Sequence, residues 1–207
     1  MRHVVFDIDG TLINTAFANL CSLRDAVRHY TGKDYSHEEL TFSLGRSAVD
    51  TMKILGVDPS FYEAVVTMWE ENLQNYADSI HYFPGIPQVV ESLHAKGYPI
   101  GIVTSQSKAE FASFAILDQL RPYFGVVICA EDTQKHKPNP DPLLKYAELA
   151  GVDISEVTYI GDSPYDKACA VSAGAKFILA PWGSSQPVEV PDQWRAGEPA
   201  DIPGMIV

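Results

Sequence analysis

Five short runs rich in Val and Ile recur along the chain, and they restrict the fold more than any other feature. They are "HVVFDI" (3–8), "YPIGIVT" (98–104), "GVVICA" (125–130), "VTYIGD" (157–162) and "KFILA" (176–180). Each reads as a strand buried on both faces, which is the habit of a parallel sheet. The segments between the later runs have helical period and helix-end signals. Residues 86–96 set Ile86, Val89, Val90 and Leu93 on one face and stop at Gly97. Residues 107–118 open with Ser107 and Glu110, the pair of a capping box in which each side chain satisfies an orphan backbone donor. The helices over 141–150 and 164–173 end at Gly151 and Gly174, which suit the left-handed position after a helix. This alternation predicts an α/β fold with a doubly wound, Rossmann-like parallel sheet.

One stretch breaks the rhythm. Between about 14 and 81 there is no strand signal, and four helical patterns take its place. Ala16, Leu20, Leu23, Val27 and Tyr30 mark a helix face that stops near Gly32; Ser36 and Glu39 form a second capping box; Ala48, Val49, Met52 and Leu55 make a stripe ending at Gly56. Asp58-Pro59 starts a fourth, long helix through Phe61, Val65, Met68, Trp69, Leu73, Tyr76 and Ile80. We therefore expect a four-helix insertion, 14–81, in a core made of 1–13 and 82–207. The tail from 181 is rich in Pro and Gly and is expected to wrap the core as loop with one short edge strand. Trp182 and Trp194 are read there as packing residues.

Composition narrows the partners. The formal net charge is -12 with no basic run, which argues against nucleic acid or anionic lipid as a ligand. The insertion holds 5 Lys+Arg against 10 Asp+Glu, leaving -5 there and -7 in the remainder. An anionic substrate would need a local site. Three widely spaced cysteines, Cys21, Cys129 and Cys169, suit a reducing compartment and read as small buried hydrophobes. No run approaches the ~18 apolar residues of a membrane span, and the N-terminal apolar run, broken at Asp7, lacks a signal-peptide core. The expectation is a cytoplasmic protein with a small-molecule substrate.

The strand ends carry the chemistry. In an open α/β sheet ligands bind where the carboxyl ends of the strands meet helix N-termini. Asp7 and Asp9 follow the first run, Thr104 and Ser105 the second, and Gly161-Asp162 the fourth, with Asp166 four residues on and Lys137 in "KHKPNPDP" just before a helix. Crowded carboxylates repel one another by on the order of 4 kcal/mol per close pair. A divalent cation that prefers oxygen, Mg²⁺ above all, removes the conflict and leaves room for phosphate oxygens. One oxygen of Asp7 could then attack phosphorus to give an aspartyl phosphate. Asp9 could protonate the leaving oxygen and later deprotonate water, while Thr104, Ser105 and Lys137 hold the phosphoryl oxygens. Gly10 lets the backbone turn from the site, and Thr11 is expected to orient Asp9. In the insertion, Arg46 in "SLGRSAVD" could bind a substrate anion.

"DIDGT", "TS", "KP" and "GDSPYD", in this order after successive strands, resemble the four motifs of the haloacid dehalogenase superfamily, in particular its phosphatase branch. The insertion resembles that superfamily's helical cap of the first type. The general look is similar to phosphoglycolate phosphatase-like and pyrophosphatase-like members. The resemblance implies Asp7 as nucleophile and Asp9 as acid/base. As Mg²⁺ ligands it implies Asp7, the Asp9 main-chain carbonyl and Asp162. It further implies Thr104 and Lys137 on phosphate, with Asp166 supporting Lys137 or a metal-bound water. Many relatives carry an acidic residue where this chain has Asn14. The implied activity is Mg²⁺-dependent hydrolysis of a small phosphorylated metabolite.

Each motif has a plainer reading. An acid-rich Asp-x-Asp-Gly could be a Ca²⁺ loop, but Ala18 stands where an EF-hand needs its closing Glu. Thr104-Ser105 and "GDSPYD" could be helix caps, Lys135 could replace Lys137, and Arg46 could be a surface residue. Competing functions are a phosphomutase of the β-phosphoglucomutase type, which keeps the aspartyl phosphate, and a receiver-like signalling module. The second acid, Asp9, argues for turnover over persistence. A haloacid dehalogenase would need neither Asp9 nor magnesium.

Overall fold

The computed structural model describes residues 2–206. In chain order its elements are β1 (His3–Phe6), β2 (Ile13–Asn14), α1 (Ala16–Thr31), α2 (His37–Leu40), α3 (Ala48–Leu55) and α4 (Tyr62–Asn72). They continue as β3 (His81–Tyr82), α5 (Ile86–Ala95), β4 (Ile100–Val103), α6 (Lys108–Ser113), β5 (Phe124–Ile128) and α7 (Asp141–Ala150). The last are β6 (Val157–Gly161), α8 (Pro164–Ala173), β7 (Lys176–Leu179) and α9 (Ile202–Met205). The five apolar runs are the five strands of one parallel sheet, in the order β5-β4-β1-β6-β7. The chain winds outward from β1 to β4 and β5, then crosses to β6 and β7. The strand order reverses at β1, which places a ligand crevice beyond its carboxyl end.

Both faces of the sheet are covered, which explains why the strands do not alternate in polarity. Val4 and Phe6 of β1, Ile100 and Ile102 of β4 and Ile160 of β6 pack with Ile86, Val89, Val90 and Leu93 of α5. Val5, Val103, Val157 and Tyr159 face the other way, onto Leu143 and Tyr146 of α7 and Cys169 and Ala170 of α8. Within the insertion Leu23, Val27, Leu40, Met52 and Val65 form a third cluster. All three cysteines are buried. The insertion departs and returns side by side, since Ile13 pairs with Tyr82 and Asn14 with His81 in an antiparallel ladder. No helix among the described residues is long and apolar enough to cross a membrane.

Four details differ from the sequence reading. The fourth helix of the insertion is α-helical only to Asn72 and tightens to a 3₁₀ helix over Leu73–Ser79. Asn72, Asn75 and Asp78 favour non-helical local bonding there, and Tyr76 is anchored by its hydroxyl, which donates to Asp25 at 2.7 Å. The 107–118 segment stops being α-helical at Ser113, because Phe114 turns into the core at ψ 88°. Its capping box is half formed: Ser107 Oγ accepts from the Glu110 N–H at 3.0 Å, while the Glu110 side chain lines the crevice instead. Among the described residues the tail makes no edge strand, only one isolated bridge between Leu179 and Arg195. It ends in the one-turn α9, whose Ile202 is buried. Trp182 packs as expected, but Trp194 is 38% exposed and is no core residue.

Candidate active site

The turn after β1 is built to present two acids. The Asp7 N–H donates to Ile160 O at 2.9 Å, tying the strand end to β6. The N–H groups of Leu12 and Ile13 then fold back onto Ile8 O at 2.8 and 3.1 Å. Gly10, at φ +80°, makes that reversal, and a Cβ there would lie 2.4 Å from Asp162 Oδ2. A side chain would fail on both counts, conformation and space.

Lys137 is the centre of the electrostatics. Its Nζ lies 2.9 Å from Asp7 Oδ1 and 2.7 Å from Asp166 Oδ1, with all three side chains at most 4% exposed. It also donates to the Tyr159 hydroxyl at 3.2 Å, and that hydroxyl donates to Val103 O at 2.8 Å. The other oxygen of Asp166 accepts from the Ser163 N–H at 3.0 Å and from Ser163 Oγ, in a complete capping box at the start of α8. Burial alone would lower the Lys137 pKa, but Asp166 and Asp7 raise it on balance, so the ammonium is permanent. Lys135 is exposed and His136 is not fully buried.

Asp7, Asp162 and Asp166 each bring an oxygen to within 4.8 Å of the other two. Asp166 is saturated by Lys137 and Ser163, so the carboxylates with capacity for a cation are Asp7 and Asp162. Burial pushes the Asp7 carboxyl up to about 7 against the pull of Lys137. Burial, reinforced by Asp166 and Asp7, raises Asp162 well above the usual carboxylate range. These acids are held too close and too dry to ionise together without added positive charge.

Asp9 is oriented by residues the sequence reading did not single out. Thr11 does not hold it: its hydroxyl donates to Asp162 Oδ1 at 3.2 Å, because the turn at Gly10 carries it toward the end of β6. Instead Thr15 Oγ donates to Asp9 Oδ1 at 2.6 Å and Gln106 Nε2 to Asp9 Oδ2 at 2.8 Å. Thr15 precedes α1 without capping it, which frees its hydroxyl. Burial raises the Asp9 carboxyl despite both bonds. Thr104 is buried, its N–H on Ile128 O at 3.0 Å and its Oγ accepting from the Gln106 N–H at 3.2 Å. Ser105 lines the crevice.

From the insertion, the Leu44–Arg46 loop presses on the β6–α8 turn. A Cβ on Gly45 would stand 3.1 Å from Ser163 Cβ. Arg46 reaches the crevice, yet its guanidinium donates to the Tyr165 hydroxyl and lies 4.9 Å over the Tyr165 ring.

Gly183 is a further residue that sequence reasoning missed. It lines the crevice, and a Cβ there would meet Gly10 O at 1.8 Å. Trp182 Nε1 donates to Thr11 O at 3.0 Å and Ser184 Oγ donates to Asp162 O, so the loop is fastened on both sides of the glycine. Gly183→Ala is expected to destabilise the protein by roughly 1–3 kcal/mol, as overpacking against a fixed backbone does. Urea denaturation checks this, and a midpoint equal to that of the parent would contradict the close approach.

Comparison with known proteins decides the family. The sequence model for haloacid dehalogenase-like hydrolases matches residues 4–180. The chain belongs to that family. This haloacid dehalogenase-like hydrolase is 35% identical over 177 residues to "Putative pyrophosphatase PpaX" of Clostridium perfringens, covering 85% of this chain and 82% of the relative. It is 31% identical over 183 residues to "Pyrophosphatase PpaX" of Bacillus mycoides, covering 88% and 84%. A crystal structure of a "putative phosphoglycolate phosphatase" from Lactobacillus plantarum superposes with a TM-score of 0.88 at 32% identity, covering 99% of this chain and 98% of that one. The haloacid dehalogenase-like chain is therefore an enzyme of the phosphatase kind, with the α/β core of its family.

Proposed function

We propose that this crevice hydrolyses the monophosphate ester of a small metabolite in the presence of Mg²⁺, with Asp7 as nucleophile and Asp9 as general acid and base. The supporting observation is the buried Asp7–Lys137–Asp166 chain at the switch point of the sheet. The lysine keeps one Asp7 oxygen charged and directed while adding a cation for phosphoryl oxygens. Mg²⁺ fits the donor set, since Asp7 and Asp162 are hard oxygen ligands with unfilled positions and raised pKa values. The Asp9 main-chain carbonyl would complete the protein ligands. Bound there, the ion would neutralise carboxylate and phosphoryl charge.

In this reading an oxygen of Asp7 attacks phosphorus and the ester C–O–P bond breaks on the phosphorus side. Asp9, held by Thr15 and Gln106, gives its proton to the departing oxygen. Asp9 then takes a proton from the water that attacks the aspartyl phosphate, and orthophosphate leaves. Thr104, Ser105 and Lys137 hold nonbridging oxygens throughout. Residues 14–81 act as a cap that limits water and contacts the leaving group. Phosphoglycolate, from the name of a relative, is the first ester to try, with pyrophosphate as the anhydride counterpart.

Release of phosphate from p-nitrophenyl phosphate is expected to require Mg²⁺, to stop with EDTA and to return on adding Mg²⁺ in excess. With a ³²P-labelled substrate, acid quenching is expected to leave label on the peptide that carries Asp7. Hydrolysis at full rate after exhaustive chelation, or label on another peptide, would overturn the reading.

A further inference from the structure

The tail grips Asp162 from two directions. β7 lies beside β6, and the Ala180 N–H donates to Gly161 O at 2.8 Å, so the chain leaves the sheet next to Asp162. Ser184 Oγ then donates to the Asp162 main-chain carbonyl. Two residues earlier, Trp182 Nε1 donates to Thr11 O at 3.0 Å, and the Thr11 hydroxyl donates to Asp162 Oδ1 at 3.2 Å. Residues 182–184 therefore form a strap that holds the backbone of Asp162 directly and its carboxylate through Thr11.

The strap has little freedom to shift. Gly183 backs onto the turn after β1, where a Cβ would stand 1.8 Å from Gly10 O and 2.4 Å from Gly10 C. Gly10 in turn lies against the Asp162 carboxylate, as its own close approach to Oδ2 shows. Thr11 and Asp162 are both buried, so the bonds that orient this carboxylate run within the protein. Oδ1 is occupied by Thr11, while Oδ2 accepts no hydrogen bond among the described residues. One oxygen is anchored and the other is left without a partner.

We propose that Thr11, Trp182 and Ser184 are positioning residues for a divalent cation, setting its affinity by holding Asp162 in one orientation. The inference rests on the Mg²⁺ reading of the crevice and gives the tail a part in it. A free carboxylate must give up rotamer freedom when it ligates an ion, and hydrogen bonds that orient it beforehand remove that cost. Loss of such a supporting bond typically weakens metal binding 10–100-fold. A strap that served folding alone would affect stability and leave the affinity for the ion unchanged.

The test is titration of the chain with Mn²⁺, which favours the same octahedral oxygen set as Mg²⁺, with free ion counted by electron paramagnetic resonance and no substrate present. Thr11→Val keeps the shape and removes the hydroxyl; it is expected to weaken binding about 10–100-fold, and Thr11→Ser to keep the parent affinity. Trp182→Phe/Ser184→Ala is expected to weaken it about tenfold. Should that double variant fail to fold, single Ser184→Ala carries the same test through a smaller loss. Ile202→Val is the control, because it trims the tail where it packs in the core and touches neither bond. It is expected to lower the urea midpoint with the Mn²⁺ affinity unchanged. Parent-like affinity in Thr11→Val or in the strap variant, a loss in Thr11→Ser as large as in Thr11→Val, or an equal loss in Ile202→Val would overturn the proposal. Binding is read without turnover, so the two readings fail separately. The expected losses of affinity in a chain that does not hydrolyse p-nitrophenyl phosphate would support the strap and sink the phosphatase reading. Mg²⁺-dependent hydrolysis with affinity untouched by the substitutions would do the reverse, and a parent chain that holds no Mn²⁺ would overturn both.

Discussion

Lys137→Met is expected to lower the stability of the protein by about 3–5 kcal/mol, the usual consequence of removing one partner from a buried ion pair. Lys137 is 2% exposed at the side chain, and its removal leaves Asp7 and Asp166, 4% and 0% exposed, facing each other without a cation. The Tyr159 hydroxyl would lose a donor at the same place. Methionine fills similar volume, so the loss reports charge more than packing. Guanidinium denaturation of the parent and variant measures it. A loss below about 1 kcal/mol would mean that the triad is not held by its lysine and would match a solvated pair instead. The double variant Lys137→Met/Asp7→Asn is expected to recover part of the loss, because it removes one of the two stranded charges.

The second large effect is on turnover. Asp7→Asn is expected to lower kcat for p-nitrophenyl phosphate by about 10⁴-fold or more, the scale seen when a nucleophile is deleted. Asp9→Asn is expected to cost roughly 10²–10⁴-fold, the range of a general acid and base. The two differ in cause. Asparagine at 7 keeps its shape but has no anionic oxygen to attack with. At 9 it can accept only one of the Thr15 and Gln106 bonds, because its amide nitrogen is a donor, and it has no acidic proton to give or take. Near-ultraviolet circular dichroism should match the parent in both. Activity within tenfold of the parent in either variant would remove that residue from its assigned role.

The sheet was legible because burial on both faces leaves no polar alternation in a strand, as in "VTYIG", where every residue is buried. Helix ends were equally clear where one glycine must adopt a left-handed turn, at Gly32, Gly56, Gly151 and Gly174. The acids of the crevice stood out because paired carboxylates at strand ends are expensive and so need a purpose. Their supports did not. Thr15, Gln106, Tyr159 and Ser163 are ordinary polar residues whose roles arise from tertiary placement, and nothing in local spacing marks them. Thr11 was assigned to the wrong acid for the same reason: one residue past Gly10, its direction depends on the turn and not on the distance along the chain. Gly183 was hidden in a loop where glycine is unremarkable until the neighbouring backbone is seen. The early end of α6 likewise reflects Phe114 entering the core, a packing demand that outweighs helical period.

The ladder of Ile13 with Tyr82 and Asn14 with His81 has an evolutionary reading. Because the departing and returning strands are clasped at the base, the 68 residues between 14 and 81 form a closed detour, and its length is buffered by the slow growth of closure entropy with loop size. Such a joint lets selection rewrite or exchange the excursion while the carboxylates of the crevice stay put. Under the proposed function, chemistry and choice of substrate would then drift on separate clocks within one gene product.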